Sequence, residues 1–299
     1  MKKAILFAGL SIFLTAFYSH YEDLPAGKDA LGTKTYDQYE KPEACKSCHT
    51  DIYMQWSQAM MSKAYTHHWD EIEYFDLAVA HAEKDTSLKD AVNGCNGCHT
   101  PLAFLAGDVP PPRPSENSRA NESVSCEVCH TIKGYKGETP YNFSYISSPG
   151  RLKYGGKPGR DSPHHDTEYH ELYTQTEYCA NCHNEKSPFG VWVKSTQLEW
   201  KEGPYKEQGV TCQVCHMPKA EGRNAKMAKK GMVAQHLFNG AHDEGKVKGT
   251  VEIRMHPDQR EVERYGTVTV QVQLFNGKTG HKFPTGSVED RILWLHVTA

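Results

Sequence analysis

Cys45-Lys-Ser-Cys-His49 returns four more times along the chain, as Cys95-Asn-Gly-Cys-His99, Cys126-Glu-Val-Cys-His130, Cys179-Ala-Asn-Cys-His183 and Cys212-Gln-Val-Cys-His216. The five copies use all ten cysteines of the 299 residues. Cysteines at this spacing serve zinc, redox dithiols or covalent haem, and neither zinc nor a dithiol needs a histidine directly after the second cysteine in every copy. Covalent haem does. Two sulfurs three positions apart on one helical turn reach the two vinyl groups at one edge of the ring, while the adjacent imidazole reaches the iron at its centre. The motifs therefore point to five haem c groups. Their thioether anchors are Cys45 and Cys48, Cys95 and Cys98, Cys126 and Cys129, Cys179 and Cys182, and Cys212 and Cys215. Their proximal iron ligands are His49, His99, His130, His183 and His216.

Composition agrees. The hydrophobic fraction is 38% with tyrosine included, thin for a length of about two domains, and macrocycles would supply the missing apolar mass. The 34 basic and 37 acidic residues give a formal charge of −3, which haem propionates make more negative, so the chain lacks the positive field of a nucleic-acid binder. At the N-terminus Lys2 and Lys3 precede an apolar run from Ala4 to Phe17, shorter than the roughly 20 residues that span a bilayer. Residues 1–19 read as a signal peptide or an N-terminal anchor, and the protein as periplasmic or extracellular.

The first cysteines, at 45, 95, 126, 179 and 212, are separated by 50, 31, 53 and 33 residues. Glu122-Ser-Val-Ser-Cys-Glu-Val-Cys-His-Thr-Ile-Lys133 parallels Gln208-Gly-Val-Thr-Cys-Gln-Val-Cys-His-Met-Pro-Lys219. With the haems numbered in chain order, this rhythm suggests a duplicated two-haem unit in which haems 2 and 3 correspond to haems 4 and 5. Ile52, Trp56, Met60 and Ala64 form one helical stripe over 51–65, and 74–83 is a second helical stretch. Pro110-Pro111-Pro112 favours an extended path, and 133–163 shows no helical or strand period. Alternation from Thr250, from Val268 and over Ile292–Val297 predicts strands. The expected architecture is mainly α, with long irregular loops around five covalent haems over 20–245. A small β-sandwich-like module follows over 246–299 and reads as incomplete, because it stops inside an apolar run.

Seventeen histidines leave twelve after the proximal five, enough to give every iron a second axial ligand. The distal candidates are His68 or its neighbour His67, His81 on a helical stretch, His164 or His165, His236, His242 and His281, with His170 weaker. Five irons with two strong ligands each make an electron carrier; an open position makes a possible catalyst.

Several stretches resemble the multihaem cytochrome c554-type family, which shares haem arrangements with the hydroxylamine oxidoreductase and octahaem tetrathionate reductase lineages. They are Cys45-Lys-Ser-Cys-His-Thr-Asp-Ile-Tyr-Met-Gln-Trp56, Gly209-Val-Thr-Cys-Gln-Val-Cys-His-Met-Pro218, and Glu177-Tyr-Cys-Ala-Asn-Cys-His183 with Glu199-Trp200 downstream. The resemblance implies a histidine ligand shortly after the first motif, but this chain has Trp56-Ser-Gln-Ala-Met-Met61 there, which makes Met61 either a thioether ligand or a packing residue. Asn276-Gly-Lys-Thr-Gly-His-Lys-Phe-Pro-Thr-Gly286 resembles the Gly-His-x-Phe-Pro-Thr-Gly signature of β-rich C-terminal modules in extracytoplasmic multihaem cytochromes, which makes His281 a ligand candidate.

Three functions follow as expectations. The first is a carrier that passes single electrons between redox protein donors and acceptors in extracytoplasmic respiration. The second is a haem enzyme acting on a small nitrogen or sulfur species at an open haem, with haem 1 as the candidate because its expected histidine is missing. The third is a subunit of a homo-oligomer or conductive filament. The basic stretch Lys219, Arg223, Lys226, Lys229 and Lys230 is a candidate surface for steering an acidic partner toward haem 5.

Overall fold

The computed structural model describes residues 24–159 and 162–298; the expected export signal at 1–19 lies outside them. Helices are short and are organised by the motifs. Pro42–Lys46 enters motif 1 and Thr50–Gln58 leaves it, Lys89–His99 ends on motif 2, and Thr176–His183 ends on motif 4. Cys126–His130 and Cys212–His216 are motifs 3 and 5 themselves. Proline at the first position starts Pro42–Lys46 and Pro101–Ala106, where its missing N–H costs nothing, and Gly107 at φ 75° closes the latter in the left-handed region.

Strands occur only as pairs among the described residues. β1 (Ile132–Tyr135) and β2 (Tyr145–Ser147) are antiparallel, and β3 (Leu152–Gly155) runs parallel to β4 (Asp166–Tyr169). β5 (Asn184–Lys186) with β6 (Trp192–Ser195), β7 (Lys219–Gly222) with β8 (Gly231–Ala234), and β9 (Val251–Pro257) with β10 (Val270–Asn276) are antiparallel hairpins. No helix among the described residues is long and apolar enough to cross a membrane.

The apolar core lies in one half of the chain. Leu102, Phe104 and Leu105 pack with Val124, Val128, Ile132, Phe143, Tyr145 and Leu172. Phe143 lies flat on the motif 2 helix at Gly97, where an added Cβ would fall 2.4 Å from its ring. Every buried apolar side chain among the described residues lies between Ala26 and Ala180. Beyond that point the buried side chains are polar. Gln197 accepts from Asn184 Nδ2 at 3.2 Å, donates its backbone N–H to Asn184 Oδ1 at 3.1 Å and reaches Thr176 and Glu177 with its own amide. Beyond Ala180 the buried contacts are thus hydrogen bonds between polar side chains.

The duplication is present with a different partition from the expected one. Trp56 Nε1 donates to Val124 O at 2.8 Å, two residues before Cys126, and Trp200 Nε1 donates to Val210 O at 2.8 Å, two residues before Cys212. Ser125 and Thr211, which precede those cysteines, have nearly identical backbone angles (−86°, 173° and −86°, 171°). Both motif helices lead into hairpins, β1–β2 and β7–β8. The tryptophan that clamps motif 3 therefore follows motif 1, and the one that clamps motif 5 follows motif 4. The corresponding pairs are 1 with 3 and 4 with 5, and motif 2 is the odd one.

Other expectations are corrected. The helix predicted over 51–65 stops at Gln58, where Ala59 turns to extended backbone (ψ 151°) and a short 3₁₀ turn, Met60–Lys63, takes over. The second predicted stretch is helical, with a π-helical run Ile72–Val79 leading into Ala80–Lys84. Residues 133–163, read as irregular, contribute to β1, β2 and β3, strands too short for a period of two to show. The third predicted C-terminal strand is absent: 292–297 form no strand, and Ile292 and Trp294 are about four-fifths exposed (81% and 80%). Over 246–299 the described residues hold one two-stranded hairpin, not a sandwich.

Candidate haem-binding sites

Three motif histidines face a second imidazole. His49 lies opposite His165, with ring centres 6.0 Å apart; His130 lies opposite His236 at 6.3 Å; His216 lies opposite His281 at 6.4 Å. The ring planes in each pair are within 30° of parallel, at 24°, 29° and 16°. Two imidazoles bonded at about 2 Å to opposite sides of one metal ion, the usual metal–imidazole length, have ring centres about 6 Å apart. The spacing in all three pairs leaves room for one iron and too little for a layer of protein.

Each of these six rings also has its Nδ1 beside a backbone carbonyl. The partners are Asn224 O for His49 (2.5 Å), Tyr154 O for His130 (2.7 Å), Asn239 O for His216 (2.7 Å), Asp166 O for His165 (3.2 Å), Ala234 O for His236 (3.0 Å) and Lys282 O for His281 (2.8 Å). A carbonyl only accepts, so Nδ1 carries the proton and Nε2 keeps its lone pair for the metal. His99 differs: its Nδ1 lies 2.9 Å from Ala64 O and 2.5 Å from the Asp70 carboxylate.

Cys95 and His183 keep exposed surface, yet burial by surrounding protein pushes the Cys95 thiol up to about 12 and the His183 imidazole down to about 4. Burial likewise pushes His236 down to about 4 and lowers His130 and His216, which keeps them neutral, the form that binds metal. At His99 burial opposes protonation but the Asp70 carboxylate prevails, raising it to about 9. Among the described residues no three His, Cys, Asp or Glu side chains converge on a metal-sized point.

Residues 44–131, which carry the first three motifs, match the model of the family described as cytochrome c554 and c-prime. The fold matches the crystal structure of a penta-heme cytochrome c552 from Thermochromatium tepidum, with a TM-score of 0.60 and 22% identity over 83% of this chain and 68% of that one. The stretch with the first three motifs is thus similar to that family, and the chain shares the fold of a penta-heme cytochrome. A search of curated protein sequences returns no match.

The cysteines also show which motifs adjoin. Cys45 and Cys126 are close neighbours, as are Cys98 and Cys182, and Cys179 and Cys212. Motif 1 therefore abuts motif 3, motif 2 abuts motif 4, and motif 4 abuts motif 5. Tyr173 and Tyr178 both donate to Cys129 O, at 2.6 and 2.9 Å, and tie motif 3 to the helix of motif 4.

Of the other candidates, His68 and His242 gather with His67, whose ring lies 4.5 Å from His68 and 6.5 Å from His242, and none of the three faces a motif histidine. His81 and His164 are exposed. His170 stands edge-on to Tyr154 and Tyr173. Met61 packs against the apolar core, and its carbonyl accepts from Val124 N at 3.1 Å; the imidazole opposite His49 is His165. His281 is presented by its loop: Glu199 Oε2 accepts from Lys282 N at 3.1 Å and Thr285 Oγ1 at 2.7 Å. A Cβ at Gly280 would come 2.9 Å from the Tyr205 ring, so the close approach needs glycine there. Sequence reasoning missed Asp70 and the carbonyls that orient the rings. It also placed the basic stretch beside haem 5, whereas the loop after β7 is bonded to motif 1: Lys226 N donates to Cys48 O at 2.7 Å.

Proposed function

We propose that the protein is a pentahaem electron carrier of periplasmic or extracellular respiration. His49 with His165, His130 with His236, and His216 with His281 hold haems 1, 3 and 5 from both sides, while His99 and His183 hold haems 2 and 4 as proximal ligands. Haem c supplies a one-electron iron couple whose potential follows axial ligation, hydrogen bonding and burial. The chain's own contribution is to fix the rings through Nδ1 and to set the order of contact. That order runs from motif 1 through 3 and 4 to 5, with motif 2 branching from 4. Residues 246–299 act as a module that closes haem 5 with His281, and the apolar run after Lys3 supports export.

The observation that carries this reading is the set of three imidazole pairs at 6.0, 6.3 and 6.4 Å. It also removes the reason for placing an open site at haem 1, since His165 stands where a histidine after the first motif was missing. Low-temperature EPR of the oxidised protein should show low-spin ferric signals for these three haems. His165→Ala should convert one of them to high spin while all five haems remain attached. An unchanged low-spin spectrum in that variant would refute the pairing.

A further inference from the structure

The β7–β8 hairpin follows motif 5 in sequence, yet its loop is fastened to motif 1 by two backbone groups: Asn224 O against His49 Nδ1 at 2.5 Å, and Lys226 N on Cys48 O at 2.7 Å. Because the backbone makes these bonds, most of the side chains point elsewhere. Arg223, Lys226, Lys229 and Lys230 are exposed, and Met227 between them is 94% exposed; the Arg223 guanidinium folds back onto Ala228 O. No acidic residue occurs between Gly222 and Asp243. Lys41 and Lys46 add exposed positive charge beside the first motif cysteine. The carboxylates nearby in sequence are Glu221 on β7 and Glu40, Glu43 and Asp51 around motif 1, with Glu43 taking the Tyr53 hydroxyl at 3.4 Å. The whole chain is negative, at −3, so this loop is a local reversal of sign.

We propose that the loop 223–230 is the docking surface of a small acidic redox protein that exchanges electrons with haem 1. The inference rests on the assignment of His49 and Cys48 to haem 1. Clustered cations on a negative molecule orient an acidic partner before contact. An exposed methionine ringed by cations provides the apolar centre that such interfaces place inside a polar rim. The fastening to Cys48 and His49 sets a partner on this loop next to the haem at one end of the 1–3–4–5 series. In each exchange one electron leaves the partner's reduced centre and one ferric haem iron becomes ferrous; no proton or bond is exchanged.

The test is stopped-flow reduction of the full haem-loaded protein by a reduced plant-type ferredoxin, an acidic one-electron donor. The triple variant Lys226→Glu, Lys229→Glu, Lys230→Glu should lower the second-order rate constant at least tenfold at low ionic strength, and the difference should close as salt screens the charges. Lys28→Glu, Lys84→Glu, Lys89→Glu, which changes net charge equally on exposed lysines away from this loop, should lower it much less. Equal slowing in both triples, or none in the loop triple, would overturn the proposal. Replacing the same three loop lysines with glutamine should give an intermediate rate and keeps the test open if the charge reversal perturbs folding. Haem content and EPR of the loop variants report on the His49 assignment separately. Full haem content and an unaltered spectrum with an unaltered rate would sink the docking surface and leave the assignment standing.

Discussion

Asp70 shows how far a single side chain can distinguish one of five near-identical motifs. Every other oriented ring has a neutral carbonyl at Nδ1, whereas His99 has a carboxylate at 2.5 Å. An anionic acceptor draws the Nδ1 proton, makes the imidazole a stronger donor and favours ferric over ferrous iron. Asp70→Asn should therefore move one component of a spectroelectrochemical titration to higher potential and leave the others in place. A titration curve superimposable on that of the parent protein would show that Asp70 does not act on the iron. The motif histidines stand out because both cysteines and the imidazole lie within five consecutive residues. His165, His236 and His281 were among the candidates to face them, but the sequence could not pair them with their motifs, because tertiary contacts bring them there and twelve spare histidines look alike in one dimension.

At the scale of elements, the two tryptophan clamps seat a motif in the same way twice. Each indole fixes the carbonyl two residues ahead of an arriving motif, so that Cys126 meets Cys45 and Cys212 meets Cys179. Trp56→Phe and Trp200→Phe should each cost about 0.5–1.5 kcal/mol, the usual worth of one hydrogen bond, because both rings otherwise keep their packing. Thermal unfolding of the haem-loaded variants reads this, and a loss in one but not the other would break the proposed equivalence. The local likeness of 122–133 to 208–219 pointed to a repeat, but the spacing of the motifs assigned its other half to motifs 2 and 4, because Trp56 and Trp200 lie at different distances from their own motifs. Strands of three or four residues leave no period to read, so β1, β2 and β3 were missed. The run 292–297 alternates like a strand yet has no partner strand among the described residues, and pairing, not pattern, makes a sheet.

For the molecule as a whole, the thin hydrophobic fraction proved informative in an uneven way. Residues 26–180 contain an apolar core, and the part beyond it is held by Asn184, Gln197 and their partners. Composition indicated that side chains were too few to fill the interior, but not where. The most direct measurement is anomalous diffraction from the haem-loaded protein at the iron absorption edge. Five iron positions are predicted, each at a motif histidine, with three of them midway between His49 and His165, His130 and His236, and His216 and His281. Fewer than five irons, or irons displaced from those three midpoints, would contradict the account.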